Sequence, residues 1–400
     1  MTGVEIRPPS KKASLGLILL LGAMTATPPV STDIYLPAVP AIARHFAASG
    51  AQTGLALSAF LFGLAIGQLL YGPWSDRVGR RLPLLIGFGL YILASLGCVF
   101  APSIEALIGF RFLQAFGGCA GVVISRAVVR DRFEHAEMLQ IFSLFMLVMG
   151  IGPILAPLLG GFILTLGDWT TEFWVLTGFG LACWLGVFLT LKESRNPDDA
   201  AFSRGESPLR SYLAVFKERR VIGYILAGTM GQAALFAYLG ASPLLLIDTY
   251  GLSPQAYGWV FATNGAGLIA CSQLNRRLVR RYSPDLILKG ANLAALAAAV
   301  VLTLDAVTGF GGLLGILAPL FLVIGSMGFN QPNGLAGAMA VDPRRAGATS
   351  GLYGAVQFVI GGVAATTAAG FSNGAALPMA LVILAALSIA ALSMRLLLKD

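Results

Sequence analysis

Charged side chains are scarce in this chain. Asp, Glu, Lys and Arg together make up 12% of the 400 residues, whereas soluble globular proteins carry about 25%. Apolar residue types make up 56% of the chain, and the mean hydropathy is +0.79. With so little polar surface, a soluble protein of this size is excluded. The composition predicts an integral membrane protein whose surroundings are the lipid bilayer.

Metal ligands and nucleotide-binding loops are also scarce. The only histidines are His45 and His135, and the four cysteines are widely separated within apolar segments. We therefore expect no metal site, and we interpret the cysteines as small packing residues. No G-x-x-x-x-G-K-[ST] loop for ATP is present, and no catalytic constellation can be recognised. These gaps predict a protein that is not an enzyme and has no cofactor.

Long stretches without charge predict an all-α integral membrane fold. A helix needs about 20 residues to cross the hydrocarbon core. The stretches that qualify are 13–32, 45–75, 82–104, 138–167, 173–191, 221–247, 249–275, 306–341 and 346–394. The last is long enough for two helices. Two further stretches, 106–125 and 286–304, contain one charge each, Arg111 and Lys289. The total is twelve transmembrane helices.

The basic residues predict the orientation of these helices. With both termini in the cytoplasm, all but three of the 27 Lys and Arg residues fall in cytoplasmic segments, the exceptions being Arg44, Arg111 and Lys289. This distribution follows the positive-inside rule. It explains the net charge of +8 without a nucleic-acid partner, which would require the basic residues to lie on one soluble face.

The longest polar segment divides the predicted helices six and six. A basic loop follows the second helix at 72–81, and a degenerate copy without the acid follows the eighth at 275–281. This weak repeat predicts two pseudo-symmetric six-helix bundles that rock about a site near the bilayer midplane. The predicted N-terminal cytoplasmic segment, first bundle, cytoplasmic linker and second bundle are residues 1–13, 14–192, 193–220 and 221–397.

The loop from Gly72 to Arg81 has an ordered pattern. Gly79 allows a sharp turn, and Asp76 can accept hydrogen bonds from an arginine. An ion pair here would hold one conformation, because it breaks when the halves separate. The alternative is an ordinary basic turn that obeys the positive-inside rule. The candidate gate residues are Gly72, Asp76, Arg77, Gly79, Arg80, Arg81 and Arg130.

The fifth predicted helix is rich in glycine and proline. Two prolines four residues apart remove a backbone hydrogen bond and predict a bent, closely packed helix. Ordinary kinked packing is the alternative. The residues concerned are Gly152, Pro153, Pro157, Gly160 and Gly161.

These motifs resemble those of the major facilitator superfamily. The loop 72–81 resembles that superfamily's mark between helices two and three, and Arg111–Gly118 resembles its R-x-x-Q-G-x-G motif, with Ala115 in place of a glycine. The segment Gly152–Gly161 is similar to the motif of its drug/proton antiporters. Ser31–Pro40 is similar to the first-helix segment of the bicyclomycin and chloramphenicol resistance (Bcr/CflA) branch.

The resemblance implies a functional monomer in a bacterial inner membrane that exports drugs in exchange for protons by alternating access. It also implies a sealing role against proton leak for the fifth helix. Some members of that branch are associated with amino acids such as cysteine. A proton-coupled metabolite carrier is therefore an alternative, and a channel or a non-transporting scaffold is a third. Without an ATP site, transport must draw on an ion gradient.

Asp33 and Arg111 are the candidate proton-coupling and substrate residues. Among the acids, Asp33 alone is predicted to lie inside the bilayer, although it could instead cap the outer end of a helix. Burial would favour the neutral form of its carboxyl group, and a nearby Arg111 would favour the charged form. A cationic substrate would then compete with the proton, which is an exchange mechanism.

Polar residues within other predicted helices are candidates for lining a substrate cavity. For each of them, a hydrogen bond between helices is an equally good interpretation. They are Tyr35, Gln114, Gln232, Tyr238, Asn264, Asn330, Asn333 and Gln357.

Overall fold

The computed structural model describes residues 15–133, 135–194, 208–342, 345–371 and 374–398. The predicted N-terminal segment and most of the predicted linker lie outside these ranges. The described residues form fifteen α-helices, α1 to α15 in chain order. They are Leu15–Thr25, Thr27–Asp33, Val39–His45, Gly50–Val78, Arg81–Val99, Ile104–Arg132, His135–Ile163, Thr170–Thr190, Pro208–Lys217, Arg219–Pro243, Pro254–Leu278, Pro284–Thr308, Gly312–Val341, Ala346–Gly370 and Leu377–Leu397.

The helices group into twelve membrane spans, which correspond to the twelve predicted ones. Within the described residues, nine helices are long and apolar enough to cross a membrane. The pair Leu15–Thr25 and Thr27–His45 forms one more span, with a bend of 46°. Helices α7 and α11 occupy the two remaining positions, and α7 carries the shorter apolar stretch Val148–Ile163. The prediction of twelve spans is confirmed.

Serine residues begin several of the long helices. The hydroxyl group of Ser49 accepts a hydrogen bond from the Gln52 amide at 3.3 Å, and the Gln52 side chain reaches back to the Ser49 amide at 2.9 Å. This reciprocal arrangement is a capping box. Single serine caps begin α6, α11 and α12 at Ser103, Ser253 and Ser283. The polar turns of the sequence therefore supply the missing partners of the first helical amides.

The first span differs from its prediction of 13–32. It continues to His45 in four helical pieces, and a proline lies in the first turn of each piece after the first: Pro28 in α2, Pro37 in a short 3₁₀ turn and Pro40 in α3. Each proline lacks the amide that would continue the previous turn. The prediction ended too early because a charge-free stretch must stop at Asp33. This residue lies in the middle of the span.

The two halves meet along α4 with α14 and along α7 with α11. The Ser58 hydroxyl of α4 donates to the Gly362 carbonyl of α14 at 2.7 Å. On α11, a Cβ at Gly258 would press against the Pro157 carbonyl of α7. Small residues at these positions allow the backbones to approach closely.

One end of the molecule is closed by contacts between the halves. We call it the far end, and the opposite end, which carries Gly79, the linker end. At the far end, Arg44 Nη1 lies 3.0 Å from Asp248 Oδ1. Gln255 Nε2 donates to the Gly161 carbonyl at 3.0 Å. The first contact joins α3 to the π-helical turn Leu244–Thr249 that follows α10, and the second joins α11 to α7.

Candidate functional site

Asp33 is buried where the first span meets α7. It is the last residue of α2, it is 5% exposed, and its Oδ1 accepts a hydrogen bond from the Thr32 hydroxyl at 2.8 Å. The next residue, Ile34, packs so closely on α7 that a Cβ at Gly160 would collide with the Ile34 carbonyl oxygen. The carboxyl group therefore lies inside the molecule and does not cap an outer helix end.

Polar groups of the second half lie near Asp33. Tyr257 of α11 is fully buried and interacts electrostatically with Asp33. Its hydroxyl group is 3.0 Å from Ser242 Oγ of α10. Beside this pair, Asn264 Nδ2 donates to the Tyr238 hydroxyl at 3.3 Å. Asp33 thus belongs to the interface between the two halves, where substrates of rocking-bundle transporters bind.

Sequence reasoning missed Tyr257 and Ser242. The only available signal for Tyr257 was its spacing of seven residues from Asn264, which puts both on one face of α11. Ser242 precedes Pro243 at the end of α10, and nothing in its sequence context singles it out. Tyr238 and Asn264, which were predicted, are both buried at this position.

Arg111 occupies a different site from the one expected. No ion pair joins it to Asp33 among the described residues. Instead, its guanidinium group lies 4.4 Å from the Tyr35 ring centroid and 4.3 Å from that of Phe60. Its Nη1 donates to the Ser31 carbonyl at 3.0 Å and to Gln114 Oε1 at 2.6 Å. Arg111 is fully buried inside the first half. The expectation that it lies beside the Asp33 carboxyl group is wrong for this conformation.

A closed polar network holds Arg111 in place. Gln114, which accepts from Arg111, donates through Nε2 to Ser95 Oγ at 2.7 Å. The Ser95 hydroxyl donates to the Tyr91 carbonyl at 2.7 Å, and the Tyr91 hydroxyl is 2.7 Å from Ser31 Oγ. The network joins α2, α5 and α6. Gln114 therefore positions the Nη1 side of Arg111, whereas Nε and Nη2 have no partner among the described residues.

Glu172 is a second buried acid. The predicted sixth span begins at residue 173, which leaves Glu172 in the preceding loop, and Asp33 was expected to be the sole acid inside the bilayer. The placement in a loop is wrong, because Glu172 lies in the first turn of α8 with 0% of its surface exposed. Asp33 is therefore not the sole buried acid. Its electrostatic partner is Arg111. The charge-free criterion excluded it from the sixth span for the same reason that it cut the first span short.

The other predicted cavity residues lie mostly in contacts between helices. Asn330 Oδ1 accepts from Asn292 Nδ2 of α12 at 3.3 Å, and Asn333 Nδ2 donates to Asn275 Oδ1 of α11 at 2.8 Å. Of the rest, Tyr35 is buried in the first half, and Gln232 and Gln357 are half-buried. Their role in binding a substrate stays a prediction.

The loop at the end of α4 forms the expected ion pair. Arg80 Nη1 donates to Asp76 Oδ1 at 2.7 Å, and Arg80 Nε donates to Asp131 Oδ2 of α6 at 2.8 Å. Burial alone would lower the pKa of Arg80, but the hydrogen bonds and charges of Asp131 and Asp76 raise it above its ordinary value. Arg80 therefore carries its charge although it is only 1% exposed. Both ion pairs of Arg80 lie within the first half. A gate ion pair that breaks when the halves separate therefore stays a prediction.

A second acid fixes the turn after Arg80. Glu193 accepts from the backbone amides of Arg80 and Arg81 at 2.9 and 3.1 Å. A carboxylate at the first amides of α5 is also favoured by the helix dipole. Gly79 has φ of 94°, a left-handed conformation that favours glycine, and a Cβ there would collide with the Glu193 carboxyl group. Sequence reasoning missed both Asp131 and Glu193.

The remaining gate candidates have weaker contacts. Arg81 Nη2 donates to the Phe188 carbonyl at 2.8 Å, which ties the loop to α8. Arg130 Nε lies 4.0 Å from Asp131 Oδ1, and its side chain is 66% exposed. Arg77 is exposed, and Gly72 lies within α4. Arg80 is thus the arginine around which the loop is built.

The glycines and prolines of α7 face both the first span and α11. Gly152 packs against Pro29, and Gly160 packs against the Ile34 backbone. On the other side, a Cβ at Gly161 would press on the Pro254 carbonyl. Pro157 presents its carbonyl to α11, and the side chain of Pro153 lies outside the described part of the chain. The predicted close packing is confirmed, and it occurs beside Asp33.

Sequence comparisons agree with this architecture. The family model described as Major Facilitator Superfamily matches residues 19–366. An uncharacterised MFS-type transporter, YdgK, of Bacillus subtilis is 35% identical over 93% of this chain and 92% of its own length. A bicyclomycin resistance protein homolog of Haemophilus influenzae is 30% identical over 92% of each chain. A chloramphenicol resistance protein of Pseudomonas aeruginosa is 29% identical over 86% of this chain and 81% of its own.

A solved structure shows the same fold. The crystal structure of a mutant of the nucleoside transporter NupG aligns with a TM-score of 0.76, covering 96% of this chain and 99% of its own at 14% identity. At that identity the likeness concerns the fold alone. The match of the family model over most of the chain, the identity to the relatives and the twelve-span architecture lead to one conclusion: this protein is a multi-pass membrane transporter of the major facilitator superfamily.

Proposed function

We propose that the protein exports drug-like molecules, cationic ones in particular, in exchange for protons. The observation that carries this proposal is the buried Asp33 carboxyl group at the interface between the halves, which has no cationic partner among the described residues. Support comes from two relatives whose names refer to bicyclomycin and chloramphenicol resistance.

The chemistry of exchange follows from burial. An isolated carboxylate is costly to bury, so Asp33 binds a proton when it has no partner. A cationic substrate beside the phenol of Tyr257 stabilises the carboxylate and displaces the proton. Rocking of the halves then exposes the loaded site to the other side. Each proton that enters down one pH unit supplies about 1.4 kcal/mol, which corresponds to a tenfold substrate gradient.

We infer that the linker end faces the cytoplasm of a bacterial cell and that both termini lie there. Basic residues lie at this end: Arg80 after α4, Arg132 at the end of α6 and Arg276 near the end of α11. The acidic residues Asp168, Asp248 and Asp305 lie at the opposite end. The positive-inside rule assigns such an arrangement to a cytoplasmic linker end. The closed far end then makes the described conformation one with a shut outer gate.

Everted membrane vesicles test the function. With an imposed acid interior, addition of ethidium or chloramphenicol should release protons through the wild-type protein, recorded with a pH-sensitive dye, and a protonophore should abolish the response. Asp33→Asn should remove it at equal protein level. Asp168→Asn is the matched control, because Asp168 is exposed and an asparagine can still accept the hydrogen bond from the Thr170 amide. Response to amino acids but to no drug in the panel would contradict the proposal.

A further inference from the structure

Glu172 is a fully buried carboxyl group that the exchange mechanism at Asp33 does not use. None of its surface is exposed, and neither carboxyl oxygen has a hydrogen-bond partner among the described residues. An ionised carboxylate in such a place would be strongly destabilising unless it were paired. A neutral, protonated Glu172 avoids that cost, so the described conformation favours the protonated form.

Arg111 is placed to become the missing partner. The Arg111 guanidinium carbon lies 5.9 Å from the ring centroid of Phe173, the residue after Glu172, and the two charges act on each other across the core of the first half. Arg111 uses Nη1 for its bonds to Ser31 and Gln114, whereas its Nε and Nη2 are buried and have no partner in the described structure. Two donors on one edge of a guanidinium group match the two oxygens of a carboxylate.

The contacts of Arg111 with aromatic rings are not directional hydrogen bonds. Its guanidinium carbon lies over the rings of Tyr35 and Phe60, and this cation–π attraction does not require a particular N–H donor. The Tyr35 hydroxyl is a further buried group without a partner among the described residues. Arg111 therefore has bonds on one side and unused donors on the other, with a carboxyl group nearby.

We propose that Glu172 is a second proton-binding site of the transport cycle, neutral in this conformation and paired with Arg111 after it releases its proton. This inference rests on the proposed proton exchange and adds a second site to it. Because α2 carries both Ser31 and Asp33, a movement of Arg111 toward Glu172 would release the Ser31 carbonyl and change the surroundings of Asp33. The other titratable groups near the Arg111–Glu172 pair are Tyr35 of the first span, Cys98 and Tyr91 of α5 and, beyond the Trp169 ring, His45 of α3.

Carbodiimide labelling tests the protonation directly. Dicyclohexylcarbodiimide reacts with protonated carboxyl groups in apolar surroundings, and mass spectrometry of peptides locates the product. In purified wild-type protein, Glu172 should be labelled at pH 6 and progressively less at higher pH. Glu172→Gln should remove this label. Glu105→Gln is the matched control, since Glu105 is an exposed glutamate in the first turn of α6 at the same end.

A variant of Arg111 tests the pairing. Arg111→Gln removes the partner of the ionised form, so the pH at which labelling of Glu172 is half complete should rise by at least about one unit. If that variant does not fold, Arg111→Lys keeps the charge without the two-donor edge, and a smaller rise is expected. The proposal would be overturned if Glu172 in wild-type protein carried no label at pH 6. It would also be overturned if the pH dependence of labelling were the same in the folded Arg111 variant as in wild type.

Liposome transport tests the role in coupling. At a pH difference of one unit, each coupled proton supports about a tenfold substrate gradient. The steady-state ethidium gradient in Glu172→Gln should thus be at least tenfold smaller than in wild type, and an unchanged gradient would contradict a second coupling site. If the proposed function itself were wrong, the result would differ from this one, because wild-type protein would then build no pH-driven ethidium gradient at all.

Discussion

Replacement of Asp131 by asparagine tests the structure of the loop between α4 and α5. Asp131 accepts from Arg80 Nε at 2.8 Å, and the side chains of Arg80 and Asp131 are 1% and 15% exposed. The other acid, Asp76, also accepts from Arg80, but it is 36% exposed. The motif in the sequence contains Asp76, whereas in the structure the side chain of Asp131 is the less exposed of the two.

The burial of the two acids determines how much each substitution should lower the free energy of unfolding. Removing one partner of a buried ion pair costs about 3–5 kcal/mol. Asparagine keeps an acceptor oxygen without the charge, and a neutral hydrogen bond is about half as strong as a charged one. We therefore expect Asp131→Asn to lower the free energy of unfolding by about 2–3 kcal/mol. Solvent screens Asp76, so Asp76→Asn should cost less than about 1 kcal/mol.

Buried thiols make the assay simple. Cys98, Cys119 and Cys183 are buried, so a thiol-reactive fluorescent dye reports unfolding of the purified protein during heating. The Asp131→Asn protein should melt several degrees below the Asp76→Asn protein. Because the raised pKa of Arg80 keeps it charged, the difference should be the same from pH 6 to pH 9. A lower melting temperature for Asp76→Asn than for Asp131→Asn would refute the reasoning.

Two further substitutions test the packing around the site and the closed end. Gly160→Ala places a methyl group against the Ile34 carbonyl, so thermal melts should show a loss of about 1–3 kcal/mol and transport should fall. Gly178→Ala, which meets open space, is the control, and equal effects of the two would contradict the packing. Arg44→Gln removes an exposed pair with Asp248, so stability should change by less than about 1 kcal/mol. Amide hydrogen exchange in the first turn of α11 should nevertheless accelerate, and unchanged exchange would show that the pair does not hold the far end closed.

The fold was largely predictable because the bilayer imposes a simple rule on composition. A span must be long and poor in charge, and eleven stretches, one of them long enough for two spans, satisfy that condition. The rule fails where a charged side chain is buried against neighbouring helices. Asp33 ended the first predicted span and Glu172 was excluded from the sixth, yet both are buried. A method that treats every charge as a boundary places buried acids at the surface.

The candidate site was predictable only as far as its contacts are local in sequence. Asp76 and Arg80 are four residues apart, and their pairing was expected from the spacing. Asp131 and Glu193 reach the same turn from other helices, and spacing carries no information about such contacts. Likewise, the residue types at Asp33 and Arg111 indicated function, but only packing shows that the aromatic rings of Tyr35 and Phe60 surround the guanidinium group.

The pH dependence of ethidium binding to the purified protein tests competition between proton and substrate at Asp33 most directly. Ethidium keeps its positive charge at all relevant pH values, so changes in its affinity report the protein. In wild-type protein, the dissociation constant should increase about tenfold for each pH unit below the range in which Asp33 ionises. Asp33→Asn should bind weakly and with an affinity independent of pH. Retention of the wild-type pH dependence in Asp33→Asn would contradict the account.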